Sequence, residues 1–179
     1  VSDLDGTLLG RDEKLSEFTV WALNSLISRG MKFTYATARS QHSAVRVTAG
    51  LTKNLPVIVY NGAFILDGAG GAPLSQAGFT PEEMAWVRRQ AEGRDLWPVV
   101  YAFVDGAERL SWVVGRETEG QAYYLQNREW DKRLRPVSQA GCLYQGEAFY
   151  FAFMGERGAL APLYEQARQQ PWLTANFQQ

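Results

Sequence analysis

The first nine residues, VSDLDGTLL, hold the side chains with the plainest chemical potential. An apolar approach ends in Asp3 and Asp5, one residue apart, and Gly6 and Thr7 follow. On a regular strand, side chains two apart point the same way, so both carboxylates would share one face. Held together they repel, and a cation relieves the repulsion; Mg²⁺ suits such hard oxygen donors. The carboxyl end of a strand is also where ligands settle in open α/β sheets. Gly6 lets the chain turn away without a side chain in the path of an incoming phosphate. A strand followed by a plain Asp-Gly turn would produce the same D-x-D-G string.

Two later segments offer further groups. The β-rich run from Met31 to Thr37 ends in a threonine hydroxyl, within MKFTYATAR. The apolar run LPVIVY, Leu55 to Tyr60, is followed by Asn61-Gly62. His42 is the sole histidine, and it falls in a stretch expected to be helical, where it reads as a surface residue.

The elements around these groups follow from periodicity. Apolar residues at helical spacing between Glu13 and Arg29, closed by Gly30, predict a helix, and Ser40 to Gly50 predicts a second. LPVIVY reads as a parallel strand covered on both faces. Strand alternating with helix argues for a doubly wound sheet. From Asp67 to Gly78 the chain is rich in glycine, and Thr80-Pro81-Glu82-Glu83 carries the signature of a helix start, so a second module is expected there. It should hold a hairpin across Gly106, an amphipathic stretch near Thr118 to Gln126, a strand in Ala148 to Met154 and a helix from about Glu156 to Gln169. Most of the tryptophans and tyrosines fall in this part, as core packing or as the lining of a pocket.

Composition bounds the partners. With 179 residues and 46% hydrophobic content the chain can bury a core. A net charge of -1, from 18 basic and 19 acidic residues, gives no positive field for nucleic acid or an anionic membrane. No stretch approaches the roughly 18 apolar residues of a membrane span. A single cysteine, Cys142, and the lack of a leader-like start point to the cytoplasm. The chain enters a strand directly at Val1 and stops without a closing element, so a fragment is expected.

DLDGTLL resembles the first signature motif of the haloacid dehalogenase superfamily. The resemblance implies that Asp3 is a nucleophile forming an aspartyl phosphate, with its other oxygen on Mg²⁺. It implies that Asp5 is the general acid and then the base that activates water, with its backbone carbonyl on the metal. Thr37 stands where the second motif has Ser or Thr donating to a phosphoryl oxygen. The sugar-phosphatase branch commonly has A-T-G-R there; this chain has Ala38 in place of the glycine, and a methyl group there would narrow the approach. Arg39 then orders the site's rim, meets a charged substrate, or is a solvated arginine at a helix start. Asn61-Gly62-Ala63 resembles the N-G-A element of the Cof-type, class IIB branch, which lies near the substrate entrance; a plain Asn-Gly turn fits equally.

The implied fold is α/β, a Rossmann-like doubly wound parallel sheet forming an incomplete core, with an inserted α/β cap of the C2B type. Residues 1–79 would be the N-terminal part of the core and 80–179 the cap. The implied activity is Mg²⁺-dependent hydrolysis of small phosphorylated metabolites, such as sugar phosphates or pyridoxal phosphate-like esters. Alternatives are a mannosyl-3-phosphoglycerate or sucrose-phosphate phosphatase, a phosphomannomutase-like enzyme, or a degenerate phosphate-binding module without turnover. The superfamily's third-motif lysine and fourth-motif acidic pair have no convincing match before Gln179, so the fragment alone is expected to be inactive or very weak. Substrate identity and oligomeric state are not encoded in any readable motif.

Overall fold

Three parallel segments begin the architecture, seen here in a computed structural model that describes residues 1–177. Ser2 bridges Tyr35 in parallel, and Ala36 bridges Ile58 in the same sense. Ser2 N donates to Thr34 O, and Ala36 N to Ser2 O, at 3.0 and 2.9 Å. The third segment is β1 (Val57–Val59). Helices α1 (Glu17–Ser28) and α2 (Gln41–Val47) fill the two connections, as parallel pairing requires. The helix expected from Glu13 starts later, at the N-cap Ser16, because Glu13 has φ 57° and sits in a turn. Ser40 caps α2 through its hydroxyl, which accepts from Ser43 N at 3.2 Å.

The glycine-rich stretch ahead of residue 80 turns between two strands of a meander. β2 (Phe64–Leu66) and β3 (Pro73–Gln76) run antiparallel to their neighbours in the order β1-β2-β3. The turn between them is tied to itself: Gly70 N donates to Asp67 Oδ2 at 2.6 Å and Gly71 N to Asp67 O at 2.8 Å. A side chain at Gly68 would stand 2.1 Å from Leu55 O, so close packing, not looseness, explains that glycine.

Two compact units divide the chain, Val1–Ala77 and Gly78–Gln179. The second is built on a four-stranded sheet in the order β6-β5-β4-β7. β4 (Val99–Val104) and β5 (Ala107–Val113) form the expected hairpin across Asp105 and Gly106, whose φ values of 52° and 75° suit the tight turn that right-twisted strands favour. β7 (Glu147–Ala152) is antiparallel to β4, and β6 (Leu134–Val137) is parallel to β5. Helices α3 (Pro81–Glu92) and α4 (Glu119–Gln126) both begin in capping boxes, Thr80 with Glu83 and Thr118 with Gln121. α5 (Ala140–Leu143) and α6 (Arg157–Ala167) complete the unit.

β6 and α5 escape the sequence pattern because they are short, and β6 reads Leu-Arg-Pro-Val. Its proline is tolerated on an edge strand, where one side of the ladder needs no donor. Val100, Ala102, Val113, Val137, Leu143 and Ala148 form the core on one sheet face. The aromatics pack among themselves, as in Phe79 against Phe151 at 5.0 Å and Tyr101 against Tyr150 at 5.3 Å between ring centroids. Among the described residues no helix is long and apolar enough to cross a membrane.

Candidate functional site

The chain leaves the sheet immediately after Ser2, so Asp3 and Asp5 do not lie on a regular strand as their spacing suggested. A wide turn, Leu4–Leu8, is closed by Leu9 N donating to Leu4 O at 2.8 Å. Leu4 and Leu9, both buried, pin the turn to the core from either end. Asp3 caps it, its Oδ1 accepting from Leu4 N at 2.8 Å, and the rest of the side chain is exposed. Gly6, at φ 73°, supplies the left-handed step that reverses the chain.

Parallel pairing brings the later segments to the same edge. Thr37 is buried, and its backbone N–H donates to Ile58 O at 3.0 Å. Its Oγ1 accepts from Arg39 N at 3.1 Å, and a hydroxyl that accepts one bond still has a proton to donate. Asn61 N in turn donates to Thr37 O at 3.0 Å. Tyr60, Asn61 and Gly62 all have positive φ, at 52°, 54° and 95°. Such a run of left-handed residues costs on the order of 1 kcal/mol for each non-glycine member and marks a backbone held for a purpose. Asn61 and Gly62 are exposed at this turn, and Ala38 is exposed, its methyl group on the surface. His42 is on the exposed side of α2, as expected.

Arg39 makes the strongest contacts of the site. Its Nε donates to Asp5 Oδ2 at 2.8 Å and its Nη2 to Asp5 Oδ1 at 2.6 Å, a bidentate fork. Nη2 also donates to Glu13 Oε2 at 2.9 Å, and Nη1 to Ser43 Oγ at 3.0 Å. The Asp5 carboxylate holds the guanidinium pKa well above its ordinary value; partial burial opposes this and Glu13 adds to it. Arginine, rather than a cation alone, therefore relieves the charge of Asp5. Neither Glu13 nor Ser43 was legible as a site residue: Glu13 belongs to no motif, and Ser43 is only an ordinary helix position.

Among the described residues, no group of three or more His, Cys, Asp and Glu side chains is arranged to hold a metal ion. Mg²⁺ commonly takes one or two carboxylates and completes its shell with water and phosphate oxygens. The exposed Asp3 carboxylate at the strand end, two residues before Asp5, fits part of such a shell.

The sequence pattern of the haloacid dehalogenase-like hydrolases matches residues 1–133. A Mycoplasma genitalium protein provisionally named a phosphatase is 44% identical over 75 residues, which are 41% of this chain and 27% of that protein. A solved structure from Thermotoga maritima shares the fold with a TM-score of 0.67 at 20% identity, over 94% of this chain and 60% of its own. A solved sugar phosphatase of subclass IIB of the same superfamily gives a TM-score of 0.52 at 18% identity, over 82% of this chain and 54% of its own. The chain thus spans well under two thirds of the length of these relatives. With the family pattern running through the Asp3–Asp5 turn, the Thr37 segment and on into the second unit, the chain belongs to the haloacid dehalogenase-like hydrolase family.

Proposed function

We propose that the protein is a phosphomonoester hydrolase acting on small phosphorylated metabolites through an aspartyl phosphate on Asp3. The observation that carries this is the edge itself: parallel pairing through Ser2, Tyr35 and Ala36 sets Asp3, with its exposed carboxylate, and Thr37, with a buried hydroxyl that accepts from Arg39 N, at the ends of adjacent segments. The Asp3 carboxylate attacks phosphorus, the bond to the leaving alcohol breaks, and that alcohol needs a proton. Thr37 donates a hydrogen bond to a phosphoryl oxygen and orients the group for in-line attack. Asp5 is the acid of this scheme and, after the alcohol departs, the base for the attacking water. Both its oxygens lie in the Arg39 fork, so the fork must open for Asp5 to carry a proton.

The Asp3 carboxylate and the Asp5 carbonyl would hold Mg²⁺, which when bound neutralises charge on the phosphoryl oxygens. The likeness in fold to a sugar phosphatase supports sugar phosphates as a substrate class. In this reading the second unit is the cap domain, and the free Cys142 is in keeping with a cytoplasmic home.

The test is covalent labelling. Incubated for hours with excess acetyl phosphate and Mg²⁺, the chain should gain a slow, substoichiometric phosphoryl label, released by hydroxylamine and mapped to Asp3 by mass spectrometry, since it has no match to the third-motif lysine and fourth-motif acids. Asp3→Asn should show no label; a label of equal yield in that variant would reject the nucleophile assignment.

A further inference from the structure

Glu13 stands outside every motif, yet its carboxylate reaches the arginine that holds Asp5. Of the groups on Arg39, Asp5 takes two nitrogens and Ser43 is a neutral hydroxyl on α2. Glu13 is held differently. One nitrogen, Nη2, is shared between Glu13 and Asp5, and the Glu13 side chain is 69% exposed. Its backbone, at φ 57°, is in the left-handed region that non-glycine residues seldom occupy. That conformation belongs to a turn in which Glu13 N donates to Gly10 O and Gly10 N to Lys14 O, both at 3.0 Å. Exposed ion pairs contribute little to stability, so the turn, held by these two backbone bonds, presents Glu13 to Arg39 through a contact that water can replace.

The position of the guanidinium gives this contact its meaning. Arg39 N is bonded to Thr37 Oγ1, and the side chain is bonded to Asp5, two residues from Asp3. Arg39 thus bridges the two backbone segments that flank the phosphoryl position of the proposed function, on which this inference rests. A guanidinium presents the same donor geometry to carboxylate and to phosphate.

We propose that Glu13 is an internal stand-in for an anionic ligand. Its carboxylate occupies the Nη2 direction of Arg39 that an oxygen of a bound phosphate takes in its stead. Entry of the phosphate displaces Glu13 and frees the loop from Gly10 to Lys14. One anion exchanges for another and no covalent bond changes.

Calorimetric titration of the 179-residue chain with inorganic phosphate tests the exchange. Glu13→Gln removes the competing charge and should bind phosphate about two- to fivefold more tightly, the range an exposed ion pair spans. Glu17→Gln removes an equal charge from the first turn of α1 without touching Arg39 and should match the parent chain. In the parent, saturating phosphate should also speed hydrogen exchange at the Glu13 amide, as the turn opens. Affinity unchanged or weakened in Glu13→Gln, an equal gain in Glu17→Gln, or no phosphate binding by parent and variant alike would each overturn the stand-in role. The covalent label at Asp3 reads separately. A labelled Asp3 with no gain in Glu13→Gln defeats only the stand-in, whereas a gain in Glu13→Gln without any label defeats only the phosphatase reading.

Discussion

Thr37 illustrates how much a single side chain owes to its neighbours. An isolated threonine at a strand end most often packs, and only its distance from DLDGTLL singled it out. The structure adds the acceptor bond from Arg39 N, which ties the hydroxyl to the residue that holds Asp5. Tyr144 shows the opposite case, a polar group with no task visible in its sequence. Its hydroxyl is buried and has no hydrogen-bond partner. Burial pushes the phenol up to about 12, with Glu92 adding to the shift and Arg88, 5.4 Å from the ring centroid, opposing it. A phenol whose folded pKa lies above its unfolded value of about 10 contributes stability that is complete below pH 10. That contribution is lost as pH rises through about 12. Because the side chain is only partly buried, the expected loss is on the order of 1 kcal/mol, well under the full linkage value. Tyr144→Phe should therefore be about 1 kcal/mol more stable than the parent at neutral pH, since no unpaired hydroxyl remains buried. The gap between the two should widen between pH 10 and 12 in urea melts; a gap that stays constant or closes there would show that burial does not hold the phenol in its neutral form.

At the scale of elements, what was legible had strong local chemistry. The capping box at Thr80 and Glu83 with the helix it opens, and the hairpin across Gly106, could be placed from a few residues each, because caps and tight turns are decided by nearby atoms; the second box, Thr118 with Gln121, lies in a stretch that read only as amphipathic. β2, β3 and β6 could not, since three- or four-residue strands show too little alternation and are set by pairing partners distant in sequence. The site split the same way. Asp3, Asp5, Thr37 and Asn61 carry a motif, whereas Glu13 and Ser43 reach the site only through the long side chain of Arg39. Gly146 is a further position where distant packing decides. At φ 85°, a side chain there would stand 2.2 Å from Phe103 O in the paired strand β4. Gly146→Ala should destabilise the second unit by about 2 kcal/mol or more, combining left-handed strain with a backbone clash. Tryptophan fluorescence during urea unfolding would measure it, and a loss under about 0.5 kcal/mol, the size of an ordinary surface change, would show that the strand end shifts freely.

For the molecule as a whole, each unit owns a sheet, but the sheets end differently. β3 is an outer strand with every residue exposed, and it opens with Pro73, which cannot extend a ladder. β7 is also an outer strand; its sequence, Glu-Ala-Phe-Tyr-Phe-Ala, holds one charge and three aromatics, and Phe79 N donating to Ala148 O at 2.9 Å occupies only part of its backbone. A register irregularity beside Tyr101 and Ala102 twists its pairing with β4, a partial safeguard against a neighbour docking flush. Net charge is only -1, so chains near neutral pH repel one another weakly. The colloidal behaviour of the purified chain should accordingly be governed by β7. Light scattering of concentrated samples should rise over hours, and the growing assemblies should protect amides of residues 147–152 ahead of those in β3. A preparation that aggregates with β3 protected first would place the sticky edge in the other unit.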